Sequence, residues 1–194
     1  MAPGAVHGRP SLPRDFETVL AGARANDPLA WTELYEWLSP GVAGYLRMVG
    51  AREVEDLTSE VLLAVFRRID GFSGTEANFR SWVFTVAHSR MVDERRRHHR
   101  RPDAESLESA EEAMTAQANP EQATLDALDV ARIETICAQL PPDQRAVILL
   151  RIIADLSIEQ VASIVGKSPG AVKQLQRRGL ERARRLFRQE GVTL

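Results

Sequence analysis

The chain carries one cysteine, Cys137, in 194 residues. An internal disulfide framework and a cysteine-built zinc site are therefore both excluded. Cys137 falls in an apolar helical pattern and reads as a buried, inert thiol. No apolar run approaches the roughly 20 residues that span a bilayer. The opening MAPGAVHGRPSLPRD lacks the apolar segment of a secretory signal, so a cytoplasmic protein with no membrane partner is expected. Glycine-rich phosphate loops, a Ser/His/Asp set and ligand-spaced metal clusters are all missing, so no catalytic residue, metal or cofactor is expected and the chain does not read as an enzyme. Strand-like alternation and internal repeats are missing too. What remains is helical periodicity, and the expected fold class is all-α.

Charge is balanced in sum and segregated in position. Lys and Arg total 25, Asp and Glu total 27, and the net charge is −2. Yet Arg95–Arg101 form a basic cluster, Asp103–Glu134 an acidic block, and the C-terminal helix a second basic cluster. Two basic surfaces joined by an acidic connector point to nucleic acid, which the averaged charge conceals.

The most informative stretch is LSIEQVASIVGKSPGAVKQLQRRGLERARRL, from Leu156 to Leu186. Ser157 and Gln160 stand at capping-box spacing. Val161, Ala162, Ile164 and Val165 follow as an apolar face. Gly166 supplies a turn residue tolerant of positive φ. Ser168 is placed to cap a second helix with Pro169 at its first position. Val172, Leu175, Leu180, Ala183 and Leu186 make the stripe of that helix, and Lys173, Gln174, Arg177, Arg178, Arg182 and Arg185 lie around it. This is a helix–turn–helix, whose second helix enters the major groove with base-edge contacts near its N-terminus and basic flanks on phosphates.

Upstream, residues 1–14 contain three prolines and little apolar content and read as disordered. A short helix follows over Phe16–Ala25. A second is capped by Asn26 or Asp27, with Ser39-Pro40-Gly41 breaking or kinking it before Val42, Tyr45, Leu46 and Met48 resume the pattern. A third runs from Val54 to Asp70, with Leu57, Val61, Leu62, Val65, Phe66 and Ile69 inward and Asp56, Glu60 and Arg67 outward. Asp56 and Glu60 share a face, but no His or third carboxylate completes a metal or acid–base site. Gly71–Asn78 reads as a loop. Phe79 opens a fourth helix, with Phe79, Trp82, Val83, Val86, Ala87 and Met91 on its apolar side and Arg95, Arg96, Arg97, His98, His99, Arg100 and Arg101 at its end. Positive charge suits a helix C-terminus, but aromatics beside so many arginines also suit single-stranded nucleic acid. His98 and His99 are adjacent, so they diverge on a helix and make a poor metal pair.

Residues 102–125 read as a flexible acidic linker with a transient helix around Ala110–Gln117. A helix from near Leu125 to Leu140 and the nearly all-apolar DQRAVILLRIIADLS, central by its pattern, precede the helix–turn–helix. Gly191 ends the last helix. The expected organisation is a disordered segment (1–14), a first helical domain (15–101), the linker (102–125) and a second helical domain (126–190).

EVEDLTSEVLLAVFRRIDGF, FRSWVFTVAHSRMVDERRR and LPPDQRAVILLRIIADLSIEQVASIVGKSPGAVKQLQRRGLERARRLF, in this order, resemble the extracytoplasmic-function (ECF) subfamily of bacterial sigma factors. The resemblance covers about residues 16–188. Departures from the family pattern are Ser59, His88, Ser89, Leu175 and Gln176. The resemblance implies partners: core RNA polymerase, through its beta-prime clamp and beta flap, promoter DNA, and an anti-sigma factor. It places polymerase contacts at Asp56, Leu57 and Glu60. It places capture of a flipped minus-ten base around Phe72, Asn78, Phe79, Arg80 and Trp82, with Arg95, Arg96 and Arg97 on the melting surface. It maps minus-thirty-five contacts onto Lys173, Gln174 and Arg178, beside which Ser168, Arg177, Arg182 and Arg185 are expected to touch DNA from their place on the capped basic helix. The alternative is a helix–turn–helix regulator that acts without binding the polymerase core.

Overall fold

The computed structural model describes residues 12–99 and 130–189. The expectations for residues 1–11, for the linker with its helix at 110–117, for the helix start near residue 125 and for Gly191 lie outside the described residues. The rest is all-α. The elements are α1 (Phe16–Arg24), α2 (Pro28–Val49), α3 (Val54–Phe66), a 3₁₀ turn (Ile69–Gly71), α4 (Glu76–His99), α5 (130–138), α6 (Pro142–Ile152), α7 (Ile158–Val165) and α8 (Pro169–Gln189).

Local chemistry sets the boundaries. Asp15 caps α1 through Thr18 N–H at 2.9 Å, and Asp27 caps α2 through Leu29 N–H at 3.0 Å, with Pro28 at the first position. Pro40 does not break α2, which runs unbroken over 22 residues. Burial on both sides of Pro40, at Leu34, Trp37, Leu38, Val42, Tyr45 and Leu46, outweighs the lost hydrogen bond. The expected Val54–Asp70 helix ends at Phe66, and Ile69 reaches the core through the 3₁₀ turn instead.

Helix α4 starts three residues earlier than expected. Thr75 N–H donates to Asn78 Oδ1 at 3.1 Å and Asn78 N–H donates to Thr75 Oγ1 at 3.3 Å, a reciprocal cap. Its buried face is Phe79, Val83, Phe84, Ala87 and Met91, while Trp82 and Val86 are half-buried. Phe84 takes an inward place because it packs edge-on against Tyr45, centroids 5.7 Å apart.

Helix α6 buries five consecutive residues, Ala146 to Leu150. A helix apolar on all sides must be covered on all sides. Helices α7 and α8 cover it within the C-terminal half, and α2 covers it from the N-terminal half. Cys137 is buried as expected, and burial raises its thiol pKa. Helix α8 crosses α6 at Gly179, where an added Cβ would lie 2.5 Å from Ile148 Cδ1 and 3.2 Å from Gln144 Cβ. Gly179→Ala is expected to destabilise by about 1–3 kcal/mol through overpacking, despite the better helix propensity of alanine, in a urea titration.

One titratable pair is built into the N-terminal core. The Tyr45 hydroxyl is held protonated by burial and shares a hydrogen bond with His88 Nδ1 at 2.8 Å. Burial, and then the nearby Arg95, hold His88 below its ordinary value of 6.5. The folded chain therefore keeps His88 neutral where the unfolded chain takes up a proton. Stability is full above pH 6.5 and falls as pH drops below it. Urea midpoints between pH 7.5 and 5.5 are expected to fall in the native sequence and to fall less steeply in His88→Gln.

Candidate nucleic-acid and polymerase interface

The helix–turn–helix assembles from its caps. Ser157 Oγ accepts Gln160 N–H at 3.2 Å and Gln160 Oε1 accepts Ser157 N–H at 2.8 Å, which completes the capping box. Gly166 takes φ +65° and ends α7. Ser168 Oγ then accepts Ala171 N–H at 3.2 Å and starts α8. Lys167 ties the turn to α6 through Asp143 at 3.0 Å. Val172 and Gly179 are buried, Gly179 against Ile148 of α6, so the outward face of α8 carries Lys173, Gln174, Arg177, Arg178, Arg182 and Arg185, all exposed. Arg178 Nη2 donates to Gln174 Oε1 at 3.3 Å, and Arg177 pairs with Glu181 at 3.4 Å. Ser168 is exposed, but its hydroxyl serves the cap. Lys173, Arg177 and Arg184 line one wall of a shallow groove.

In the N-terminal half an aromatic cluster forms a slot. Phe79 is fully buried and meets Phe72 and Trp82 at 82° and 71°. Those two rings lie 5.5 Å apart and nearly parallel, at 10°. Beside them Arg68, Gly71 and Ser73 line an open cavity of about 430 Å³. Phe79 is the anvil behind the slot; Phe72 and Trp82 are the half-buried rings that reach its surface. The Phe72 carbonyl is held by Arg24 of α1. Asn78 is exposed, and its Oδ1 is committed to Thr75 N–H and Oγ1. The group it offers a base is its amide nitrogen. Gly74 precedes this turn at φ +142°, and a Cβ there would meet Asn78 Cβ at 3.1 Å. Arg80 is half-buried, paired with Glu76 at 2.6 Å and stacked over Trp37 at 5.5 Å.

The arginines at the end of α4 part company, as consecutive helical residues must. Arg95 turns inward and donates to the Val49 carbonyl. Arg96 is exposed. Arg97 turns toward α3 and lines a cleft of about 600 Å³ with Glu53, Asp56, Leu57, Glu60, Glu94 and His98. Asp56 and Glu60 are exposed on α3, whereas Leu57 is buried and reaches the cleft only at its edge.

Sequence reasoning overlooked several contributors. Leu63 lies on the Asp56–Glu60 face and is 52% exposed. The signal was the pair Leu62-Leu63, of which only one can point inward. Arg68 and Ser73 join the aromatic slot through the 3₁₀ turn, which periodicity does not report.

Two segments match family descriptions: Sigma-70 region 2 over residues 34–101 and Sigma-70 region 4 over residues 131–182. The ECF RNA polymerase sigma factor BldN of Streptomyces coelicolor is 30% identical over 93% of this chain and 70% of its own length. The ECF RNA polymerase sigma factor ShbA of Streptomyces griseus is 33% identical over 91% of this chain and 100% of its own. Among solved structures, CnrH in complex with the cytosolic domain of CnrY superposes with a TM-score of 0.63 at 20% identity, over 89% of this chain and 96% of that one.

The division between anvil and slot gives a stability test. Phe79→Ala is expected to cost about 3–5 kcal/mol, as core aromatic truncations do. Phe72→Ala is expected to cost less, because its ring is already partly in water. Urea titrations of the two variants measure the difference.

Proposed function

The chain belongs to the ECF family of RNA polymerase sigma factors, and we propose that it divides promoter reading between the α8 face and the Phe72–Trp82 slot while α3 holds the polymerase. As a sigma factor it binds core RNA polymerase and recognises promoter DNA. Its role is carried by binding, and its place of action is the cytoplasm. An anti-sigma factor is a further partner implied by the family.

The minus-thirty-five element is read as duplex. Helix α8 is capped by Ser168, so Lys173 and Gln174 sit in its first turns, where base edges come within reach. Gln174 carries an amide suited to adenine, and Lys173 suits guanine. Arg178 steadies the Gln174 amide oxygen and extends the same stripe. Arg182 and Arg185 continue along the helix toward phosphates.

The minus-ten element is read as single strand. An unstacked base needs an aromatic face, a cation for the backbone and a fixed polar group. Phe72 with Trp82, Arg68 and Asn78 supply these in turn. Phe79 and Arg80 act behind them as scaffold. Arg96 is the arginine of its triplet best placed for the melted strand, since Arg95 is spent on Val49 and Arg97 on the acidic cleft.

The polymerase face is the exposed ridge Asp56, Glu60 and Leu63, with Leu57 at its edge. An apolar centre flanked by carboxylates suits a basic, partly apolar helical partner, which fits the beta-prime clamp. The beta flap would meet the C-terminal half.

The observation that carries this reading is the presence in one chain of an exposed basic recognition helix and an aromatic single-strand slot. A regulator that acted on duplex operators alone would use only the first. The experiment is capture by core RNA polymerase. Asp56→Arg with Glu60→Arg is expected to abolish capture while circular dichroism stays unchanged, and Leu63→Asp to weaken it. Arg96→Glu is expected to bind polymerase normally but to leave promoter thymines unreactive to permanganate. Normal capture by the double reversal would remove α3 from the polymerase face.

A further inference from the structure

Phe72 is the ring of the slot that no helix carries. Phe79 and Trp82 ride on α4, whereas Phe72 stands between the 3₁₀ turn and α4 in extended backbone, at φ −78° and ψ 137°. Such a segment has no helical ladder, so its backbone groups must find partners elsewhere. Phe72 N–H donates to Ile69 O at 3.1 Å and closes the 3₁₀ turn. The Phe72 carbonyl accepts from Arg24 Nη2, 48 positions away in the sequence.

Helix α1 thus reaches Phe72 twice. Phe16, buried at its first position, meets the Phe72 ring edge-on, with centroids 6.4 Å apart at 86°. Arg24, at its last, takes the carbonyl. The two ends of a nine-residue helix stand about 12 Å apart, so the ring and the backbone of one residue are held from separate points. Helix α1 is itself fixed. Val19, Leu20 and Ala23 are buried, and Gly22 lies so near α2 that an added Cβ would stand 2.9 Å from Ala30 Cβ. The chain then turns through Asn26, at φ +58°, into the Asp27 cap of α2. Arg24 projects from that frame, and Phe72 takes its place from it.

Ring spacing decides where a base can enter. Between two parallel rings it needs about 7 Å, twice a contact distance of about 3.5 Å. Phe72 and Trp82 stand 5.5 Å apart at 10° and are already stacked on each other. A base therefore enters beside the pair, on the side of the cavity that Arg68, Gly71 and Ser73 line. Release of the Phe72 carbonyl would free the ring to leave Trp82 and turn into that cavity.

We propose that Arg24 is a positioning residue of the minus-ten reader: by holding the Phe72 carbonyl it keeps Phe72 stacked on Trp82 and the cavity beside them open to a base. The inference rests on the assignment of that slot to the minus-ten strand given above. Arg24 is exposed, so the rival role is direct contact with a phosphate, and the two roles differ in signature. A phosphate contact weakens binding to all sequences evenly and carries about one unit of salt slope. A positioning contact changes base preference and leaves the slope alone.

Arg24→Met keeps the length of the stem and removes the donor. Two measurements on the full chain test it. In the free protein, amide hydrogen exchange over residues 69–75 is expected to be about three- to tenfold faster than in the native sequence, as loss of one net hydrogen bond implies, with exchange in α2 and α8 unchanged. In the holoenzyme, selection from DNA randomised over both promoter elements, at two salt concentrations, reads base preference. Phe72→Ala is expected to flatten the preference at one minus-ten position. Arg24→Met is expected to reduce it at the same position by about three- to tenfold, with minus-thirty-five preference, core capture and salt slope unchanged. Unchanged exchange over 69–75, or an even loss of affinity with the salt slope lowered by about one unit, overturns the proposal. A minus-ten preference that survives Phe72→Ala overturns the promoter reading, and the role of Arg24 in it, while faster exchange would still show that Arg24 holds Phe72.

Discussion

Helix α6 is the constraint on which the rest depends. Five successive residues, Ala146 to Leu150, are buried, so the middle of the helix must be covered on every side. Covering it fixes the C-terminal half: α7 lies on one side and α8 on another. The contact with α8 is close enough to require Gly179, and that crossing sets the rotation of α8. With Val172 and Gly179 turned inward, the lysine, glutamine and arginines can only face out. The exposed basic face of α8 is thus a consequence of where α6 must be covered. The remaining face of α6 meets α2 and brings Arg145 to the end of that helix.

The N-terminal half answers a different problem, how to display aromatic rings without losing them to the core. Phe79 is sacrificed to burial and holds Phe72 and Trp82 edge-on. Edge-to-face contacts add about 0.5–1.5 kcal/mol beyond area, which keeps two half-exposed rings in place. The Thr75–Asn78 cap and the close approach of Gly74 then fix the turn that leads from Phe72 into α4. Charge is sorted with equal economy at the end of α4. Arg95 closes α2, Arg97 lines the acidic cleft and Arg96 stays exposed.

Much of this was legible in the sequence. The capping box at Ser157 and Gln160, the turn at Gly166, the Ser168 cap, the centrality of α6 and the burial of Cys137 all follow from local rules, and all are present. The misreadings share a cause. Of the break or kink expected at Pro40, the break is absent, because tertiary burial on both flanks carries the helix through a local breaker. The start of α4 was placed at Phe79 because apolar periodicity starts there, although the cap lies at Thr75. Phe79 itself was counted among DNA contacts by family resemblance; its position in the helix pattern already marked it as core. Leu63, Arg68 and Gly179 escaped notice because their roles depend on which face a neighbouring element leaves free. The contact between the halves was not foreseen either. A side chain such as Gln160, which serves its own cap and donates to Ala77 O of α4 at once, looks purely local in one dimension.

The central claim is that the fold aims the first turns of α8 at base edges and its later arginines at phosphates. It is tested most directly by binding Lys173→Ala, Gln174→Ala, Arg182→Ala and Arg185→Ala holoenzymes to a library of minus-thirty-five sequences at two salt concentrations. Loss of Lys173 or Gln174 should remove about 1–3 kcal/mol of discrimination at particular positions. Loss of Arg182 or Arg185 should weaken binding evenly and lower the salt slope by about one unit. Even losses for Lys173 and Gln174, together with altered base preferences for Arg182 or Arg185, would contradict the account and place a different face of α8 in the groove.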